Sequence, residues 1–223
     1  MNLNADLMQR AVVLSHELPW TPSPTPGVRR RLLARDGEEE AVATSIVEYA
    51  PGSTFTRHAH PMGEEFLVLS GTFEDEHGRY PEGTYVKNPS GSAHTPFSRE
   101  GCTLFVKLRQ LWPGDTQRVV VRPGDRPWRQ GLVDGLEVMP LDEFGMSHTA
   151  FVRWAPGTTF ARHWHRGGEE IFVVSGVFED EHQTYPAGTW LRSPHMSTHQ
   201  PFSTQGCLIL VKVGHLVSPS PNA

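Results

Sequence analysis

PGSTFTRHAHPMGEEFLVLSG, residues 51–71, holds the pattern on which the reading of the fold turns. His58 and His60 alternate with Ala59, and Glu64 stands four residues past the second histidine. Successive side chains of an extended strand point to opposite faces, so the two imidazoles emerge on one side. Paired imidazoles facing a barrel interior need something to bind between them. A carboxylate from the next strand and a third imidazole from further on would complete a mixed nitrogen and oxygen set. His94, within GTYVKNPSGSAHTPFS, is the candidate for that third imidazole. The whole set then recurs. His163, His165, Glu169 and His199 keep the same intervals, each displaced by 105 residues (163 − 58, 165 − 60, 169 − 64, 199 − 94).

The repeat divides the 223 residues into two units, each large enough to bury a core of its own. The expected boundaries are a lead-in arm over 1–27, a first unit over 28–111, a linker over 112–130, a second unit over 131–217 and a frayed tail over 218–223. A formal charge of −5 leaves no electrostatic footprint for nucleic acid. The run Arg29 to Arg31 is followed by Asp36 and Glu38 to Glu40, and reads as solvated positions on an edge strand. Cys102 and Cys207 lie in the matching segments GCTLFVK and GCLILVK, and read as small buried hydrophobes, not as a disulfide framework. No charged N-terminal region precedes an apolar run, and no stretch approaches the ~20 apolar residues of a membrane span. The expected compartment is a reducing cytoplasm, with no membrane partner.

Short β runs punctuated by Gly and Pro dominate from Val28 onward. VRRRLLA and EAVATSIVEYA flank an Asp36-Gly37 turn, a hairpin signal when strands lie on both sides. TFTRHAH, EEFLVLSGTFEDE, GTYVKN and CTLFVKLRQL follow, at a spacing that predicts an antiparallel all-β sandwich or barrel. Before them, LNADLMQRAVVL predicts a short helical turn and an edge strand at Ala11 to Leu14. PWTPSPTPG is an extended connector. Gln117 to Arg122, inside the linker, is a further strand candidate. FEDEH occurs twice, at Phe73 to His77 and Phe178 to His182, and its acidic run reads as a turn.

Neutral imidazoles suit Zn, Fe, Ni and Cu, and a carboxylate adds a hard, charge-neutralising oxygen. Packing or surface exposure explains a lone histidine, but not six histidines and two glutamates at one repeated spacing. Glu64 competes with Glu65 for the ligand role, and Glu169 with Glu170, because both faces of FLVL and IFVV are apolar. The neighbours Glu65 and Glu170 could orient a ligand histidine. His77 and His182 read as turn residues. His195 has Ser90 in its matching place and is the candidate for a feature of the second site alone. Phe55, Tyr85, Phe97, Phe160, Trp190 and Phe202 read as filling of the barrel interiors. No Ser-His-Asp order appears, and cysteines in apolar strands disfavour a thiolate nucleophile.

The first half reads Gly52, five residues, His58-Ala59-His60, three residues, Glu64, six residues, Gly71. It continues as Gly83, five residues, Pro89-Ser90-Gly91, two residues, His94. This resembles the two cupin motifs, and Gly157, His163, His165, Glu169, Gly176, Gly188, Pro194 and His199 repeat them. Met196 stands where the second motif has glycine, and Ser98 and Ser203 where it has asparagine. The wider wording, from about Trp20 to Leu216, is similar to the cupin domain of ChrR-type anti-ECF-sigma factors. The resemblance implies two tandem cupin barrels of the double-stranded β-helix or jelly-roll type, forming a bicupin. It implies a divalent metal in each, zinc first, with iron, manganese or nickel as alternatives. The ligands it implies are His58, His60, Glu64 and His94, and then His163, His165, Glu169 and His199.

In that family the cupin domain takes part in the response to singlet oxygen and peroxides. Sigma-factor binding belongs there to a helical zinc domain with a CxxC pair, which this sequence does not contain, so no sigma-factor partner is expected. The leading expectation is a sensory or regulatory metal-binding bicupin. The alternative is a metal-dependent dioxygenase or isomerase acting on a small oxygenated compound. Either would take a small-molecule ligand in the barrel, and assembly as a homo-oligomer is left open.

Overall fold

Val, Ile, Leu, Phe and Tyr in short runs favour pleated, half-buried strands, and left-handed glycines between the runs turn the chain. The computed structural model describes residues 1–38 and 40–217, and the expected frayed tail lies outside the described residues. Among them there is no α-helix, only a 3-10 turn at Ser15–Glu17, and no helix long and apolar enough to cross a membrane. The helical turn expected in LNADLMQRAVVL is therefore absent, and residues 7–9 form a tight bend instead.

In the first unit the hydrogen-bonded order is Val28–Asp36, Val42–Tyr49, Cys102–Leu108, Glu64–Asp75, Tyr85–Asn88, Val119–Val121, all antiparallel. Glu64–Asp75 is long enough to serve two layers. Its first half pairs with Tyr85–Asn88, and its second with Gly78–Pro81 and Phe97–Ser98. His58–His60 and Ser92–His94 form a small two-stranded sheet of their own. The inner face of this jelly roll carries Val28, Tyr49, Phe66, Val68, Phe73, Leu104 and Val106. Each such large apolar side chain contributes about 1.5–3 kcal/mol by leaving water.

The second unit repeats this plan: Leu136–Phe144, Ser147–Trp154, Cys207–Val213, Glu169–Glu179, Thr189–Ser193, and then Ala11–Leu14. His163–Trp164 and Thr198–His199 make its small sheet. Its core holds Leu136, Trp154, Ile171, Val173, Phe178, Leu191 and Ile209. Where the long strand crosses between layers the backbone runs close to a neighbouring turn. A Cβ at Gly71 would stand 2.2 Å from the Gly101 carbonyl oxygen, and one at Gly176 2.1 Å from that of Gly206. Only glycine fits there.

The division of the chain is not sequential. Met1–Ala5 and Glu17–Asp125 make one unit, and Asp6–His16 joins the chain from Arg126 onward in the other. Ala11–Leu14 closes the sheet of the second barrel, and Val119–Val121 closes that of the first. Two expectations change at this level. Tyr85 pairs with Leu67 and Trp190 with Phe172, whereas the interior is lined by the alternate pairs Val86–Phe66 and Leu191–Ile171. Tyr85 and Trp190 are thus buried on the opposite face and do not fill the barrels. Arg30, in turn, is not a solvated edge position: it is half-buried and shares the inward face with Val28.

Candidate metal centre

Each small sheet carries histidines on both of its strands. His94 lies directly across from His58 in the first barrel, and His199 across from His163 in the second. Cross-strand partners stand close enough for their side chains to share one target. The third histidine of each cluster, His60 or His165, is two residues along on the same face. In each cluster one ring nitrogen per histidine can be chosen so that all three lie within 4.8 Å of one another. Ring centroids are 4.8–5.1 Å apart in the first cluster and 4.6–5.0 Å in the second.

The glutamates separate cleanly. Glu64 Oε2 is 3.6 Å from His60 Nε2 and 3.7 Å from His94 Nε2. Glu169 repeats this, with Oε1 3.5 Å from His165 Nε2 and Oε2 3.6 Å from His199 Nε2. Glu65 and Glu170 point to the other face of the strand. Glu65 accepts the Tyr85 hydroxyl at 2.6 Å, and Glu170 lies 2.8 Å from His215 Nε2, so neither orients a clustered histidine. His195 accepts the backbone N–H of Gly167 at 2.8 Å, a loop staple and not a feature of the second cluster. The backbone N–H groups of His77 and His182 donate to Asp75 and Asp180, in the turns expected for them.

Three different partners aim the rings. The Nδ1 of His58 lies 2.9 Å from the Thr56 carbonyl, and that of His163 2.9 Å from the Ala161 carbonyl. A protonated Nδ1 there leaves the Nε2 lone pair free to face its neighbours. His94 Nδ1 is 3.1 Å from Asp75 Oδ2, whereas the matching distance from His199 to Asp180 is 4.0 Å. Asp75 and Asp180, in the FEDEH runs read from sequence as turns, are therefore the residues that sequence reasoning missed.

Behind them stands a second missed layer. Tyr80 donates to Asp75 at 2.9 Å and Arg118 to Tyr80 at 2.8 Å. In the other barrel Tyr185 donates to Asp180 at 2.7 Å, and Arg10 donates to Tyr185. The signal was present in the sequence. Residues 9–13, QRAVV, and 117–121, QRVVV, are copies 108 apart (117 − 9, 121 − 13).

The electrostatics differ between the copies. Burial holds His165 down at about 3 and His199 at about 4, so both are neutral near pH 7, the form that binds metal. Burial also pushes Glu169 up to about 8, with Asp180 adding to it. Burial lowers His60 too. At His94 burial works in the same direction, but the Asp75 hydrogen bond and Glu64 outweigh it and the pKa rises. Asn88 donates to Glu64 Oε2 at 3.0 Å, while the Oε2 of Glu169 has no hydrogen-bond partner among the described residues. The buried His60 Nε2 likewise has none. A buried imidazole nitrogen in the first cluster and a buried carboxylate oxygen in the second, each without a partner, are costly unless a cation lies against them. The residues fit a divalent metal with nitrogen and oxygen ligands.

Beside the second cluster opens an apolar chamber of about 160 Å³. Leu136, Val138, Val152 and Ile171 line it together with His163, Glu169 and His199.

The model of the ChrR cupin-like domain matches residues 8–112 and again 116–217. No curated protein matches the sequence. Solved structures share the fold. A protein of Nostoc punctiforme PCC 73102, provisionally assigned as a dioxygenase, superposes with a TM-score of 0.77 at 14% identity, over 96% of this chain and 85% of that one. Ylba from E. coli gives 0.74 at 15% identity, over 96% and 95%. An oxalate decarboxylase from Lactobacillus farciminis, solved with formate, gives 0.65 at 13%, over 95% and 88%.

Proposed function

The chain belongs to the ChrR cupin-like family, carrying that domain twice, and from this premise we propose a two-site metalloprotein whose second barrel acts on a small oxygenated compound. The observation that supports it is the apolar chamber beside His163, Glu169 and His199. An apolar cavity of about 150 Å³ holds a benzene-sized molecule, so this one has room for a small organic substrate. His163, His165, Glu169 and His199 would hold one divalent metal, and His58, His60, Glu64 and His94 another. When bound, such a metal supplies Lewis acidity, or redox chemistry if it is iron or manganese. The chain's own residues do the rest. The imidazoles stay neutral to ligate, and the apolar walls give the substrate a surface to pack against beside the metal.

The fold hosts many functions, so the solved relatives do not choose among them. That one of them is an oxalate decarboxylase and another provisionally a dioxygenase is compatible with metal-dependent enzymology. A regulatory role is the second reading, and the family match favours it. In that case the same metal and chamber would sense a ligand or oxidant without turnover. The two cysteines lie singly in strands, and no CxxC pair supplies the sigma-binding module of the family, so this chain by itself should not capture a sigma factor.

Elemental analysis of chain purified without added metal should find two divalent ions. Val138→Phe should leave that content unchanged while abolishing turnover of a panel of small oxygenated compounds. Product formation by the wild type supports the enzyme. Stoichiometric ligand binding with no product supports the sensor, and metal content near zero would overturn both.

A further inference from the structure

The two barrels share their histidine clusters but not the walls around them. Hairpin register fixes the counterparts. In the second barrel Leu136 lies across from Trp154 and Val138 across from Val152. In the first, Val28 lies across from Tyr49 and Arg30 across from Val47. Val28 and Tyr49 belong to the interior core, and Val47 packs against it. Arg30, two residues from Val28 on the same face, thus points into the barrel, in the place where Val138 lines the apolar chamber.

The neighbouring arginines show what an outward position looks like. Arg29 and Arg31 lie over the Trp20 ring at 4.7 and 4.2 Å, and Arg29 donates to Glu48 at 2.7 Å. Arg30 does none of this. Its Nε is buried without a hydrogen-bond partner, as is that of Arg31, but Arg31 has the Trp20 ring against its guanidinium, whereas no ring or carboxylate among the described residues pairs with that of Arg30. A partly desolvated guanidinium with no anion is expensive, and its planar fork is shaped for a carboxylate. Tyr49 stands on the adjacent strand. Its phenolic hydroxyl is a further donor.

We propose that the first barrel binds a small carboxylate through Arg30, inside the same barrel wall that carries His58, His60, Glu64 and His94. The Arg30 contact needs no metal. Only a second contact, from the ligand to a cation, rests on the metal reading above.

Calorimetric titration tests it, with acetate and oxalate as probes, acetamide as the neutral counterpart of acetate and sulfate as a non-carboxylate anion. The full chain is used both zinc-loaded and metal-free. One carboxylate should bind per chain, acetamide should not, and Arg30→Met should weaken binding by about tenfold or more. Arg30→Lys should retain part of it, and Val138→Arg should create a second binding event in the second barrel. The proposal is overturned if neither probe saturates in either form of the protein, if Arg30→Met binds as the wild type does, or if sulfate binds more tightly than the carboxylates. Metal content is read separately. A chain that holds no metal but binds carboxylate through Arg30 would sink the metal reading and leave this one standing.

Discussion

A hydrogen bond from Nδ1 to a carboxylate fixes the tautomer of a ligand histidine and raises its basicity. Asp75 makes that bond to His94 at 3.1 Å, but Asp180 stands 4.0 Å from His199. Asp75→Asn should therefore weaken metal binding in the first site by about 10–100-fold. Asp180→Asn should cost the second site less, and competition against a chromophoric chelator reads both. Equal losses would show that the difference in distance carries no weight. Met196 poses a different question. It holds φ at 63°, where its counterpart Gly91 has 80°, and its N–H reaches the His165 carbonyl just as that of Gly91 reaches His60. The turn survives the loss of glycine, but with strain of about 1–2 kcal/mol. Met196→Gly should recover part of that as a raised Tm without altering metal content. Burial lifts both thiols to about 11 from 9.0, so at pH 8 Cys102 and Cys207 should react with a disulfide reagent only after unfolding. Since the folded pKa is the higher, their contribution to stability is intact below pH about 9. It is lost as pH rises from there through about 11. The clustering of the histidine and glutamate side chains was legible in the sequence because eight residues repeat at one interval. Asp75 was not, since an acidic run before a turn looks the same whether or not one carboxylate turns inward. Arg30 was hidden for a related reason: three successive arginines reveal no face until the hairpin register is known.

Each repeat begins with a strand that serves the other barrel. Ala11–Leu14, ahead of the first repeat, pairs with Thr189–Ser193, while Val119–Val121, ahead of the second, pairs with Tyr85–Asn88. The two lead strands bring Arg10 and Arg118 to equivalent tyrosines, so each barrel borrows the outermost residue of its Arg-Tyr-Asp chain from the other copy's lead segment. Hydrophobic runs such as AVVL could be read as strands from sequence, but partner choice could not, because any exposed sheet edge offers the same hydrogen bonds. The copying of QRAVV was also masked by its offset. The turn between Asp36 and Val42 is three residues longer than that between Phe144 and Ser147, which turns a spacing of 105 into one of 108. Val12 packs against the second core and Val120 against the first. Val12→Asp should then cost about 1–3 kcal/mol in the second barrel, although it precedes the first in sequence. Hydrogen exchange should speed up at Thr189–Ser193 and stay unchanged at Tyr85–Asn88, and Val120→Asp should do the reverse. A uniform response to either variant would mean that the strands do not act on separate sheets.

Two self-contained cores, each with its own cluster, make the chain additive in its metals if each set ligates alone. His60 sits among His58, Glu64 and His94, and no ligand of one set belongs to the other. Removing its imidazole takes away one ligand of four and leaves a gap where Nε2 stood, so a chelator that spares the intact set should strip the cation. His60→Ala should therefore lower the metal content from two per chain to one, and His165→Ala should do the same from the other side. Binding to the folded state alone stabilises by about 2.7 kcal/mol when free metal exceeds its dissociation constant 100-fold. For a domain of about 100 residues that is a shift of roughly 10–20 °C. In scanning calorimetry of His60→Ala, the first barrel should then melt that much earlier, while the second keeps its transition until its own metal is chelated. Loss of both metals in the single variant, or one transition that moves as a whole, would replace two independent centres by a coupled pair.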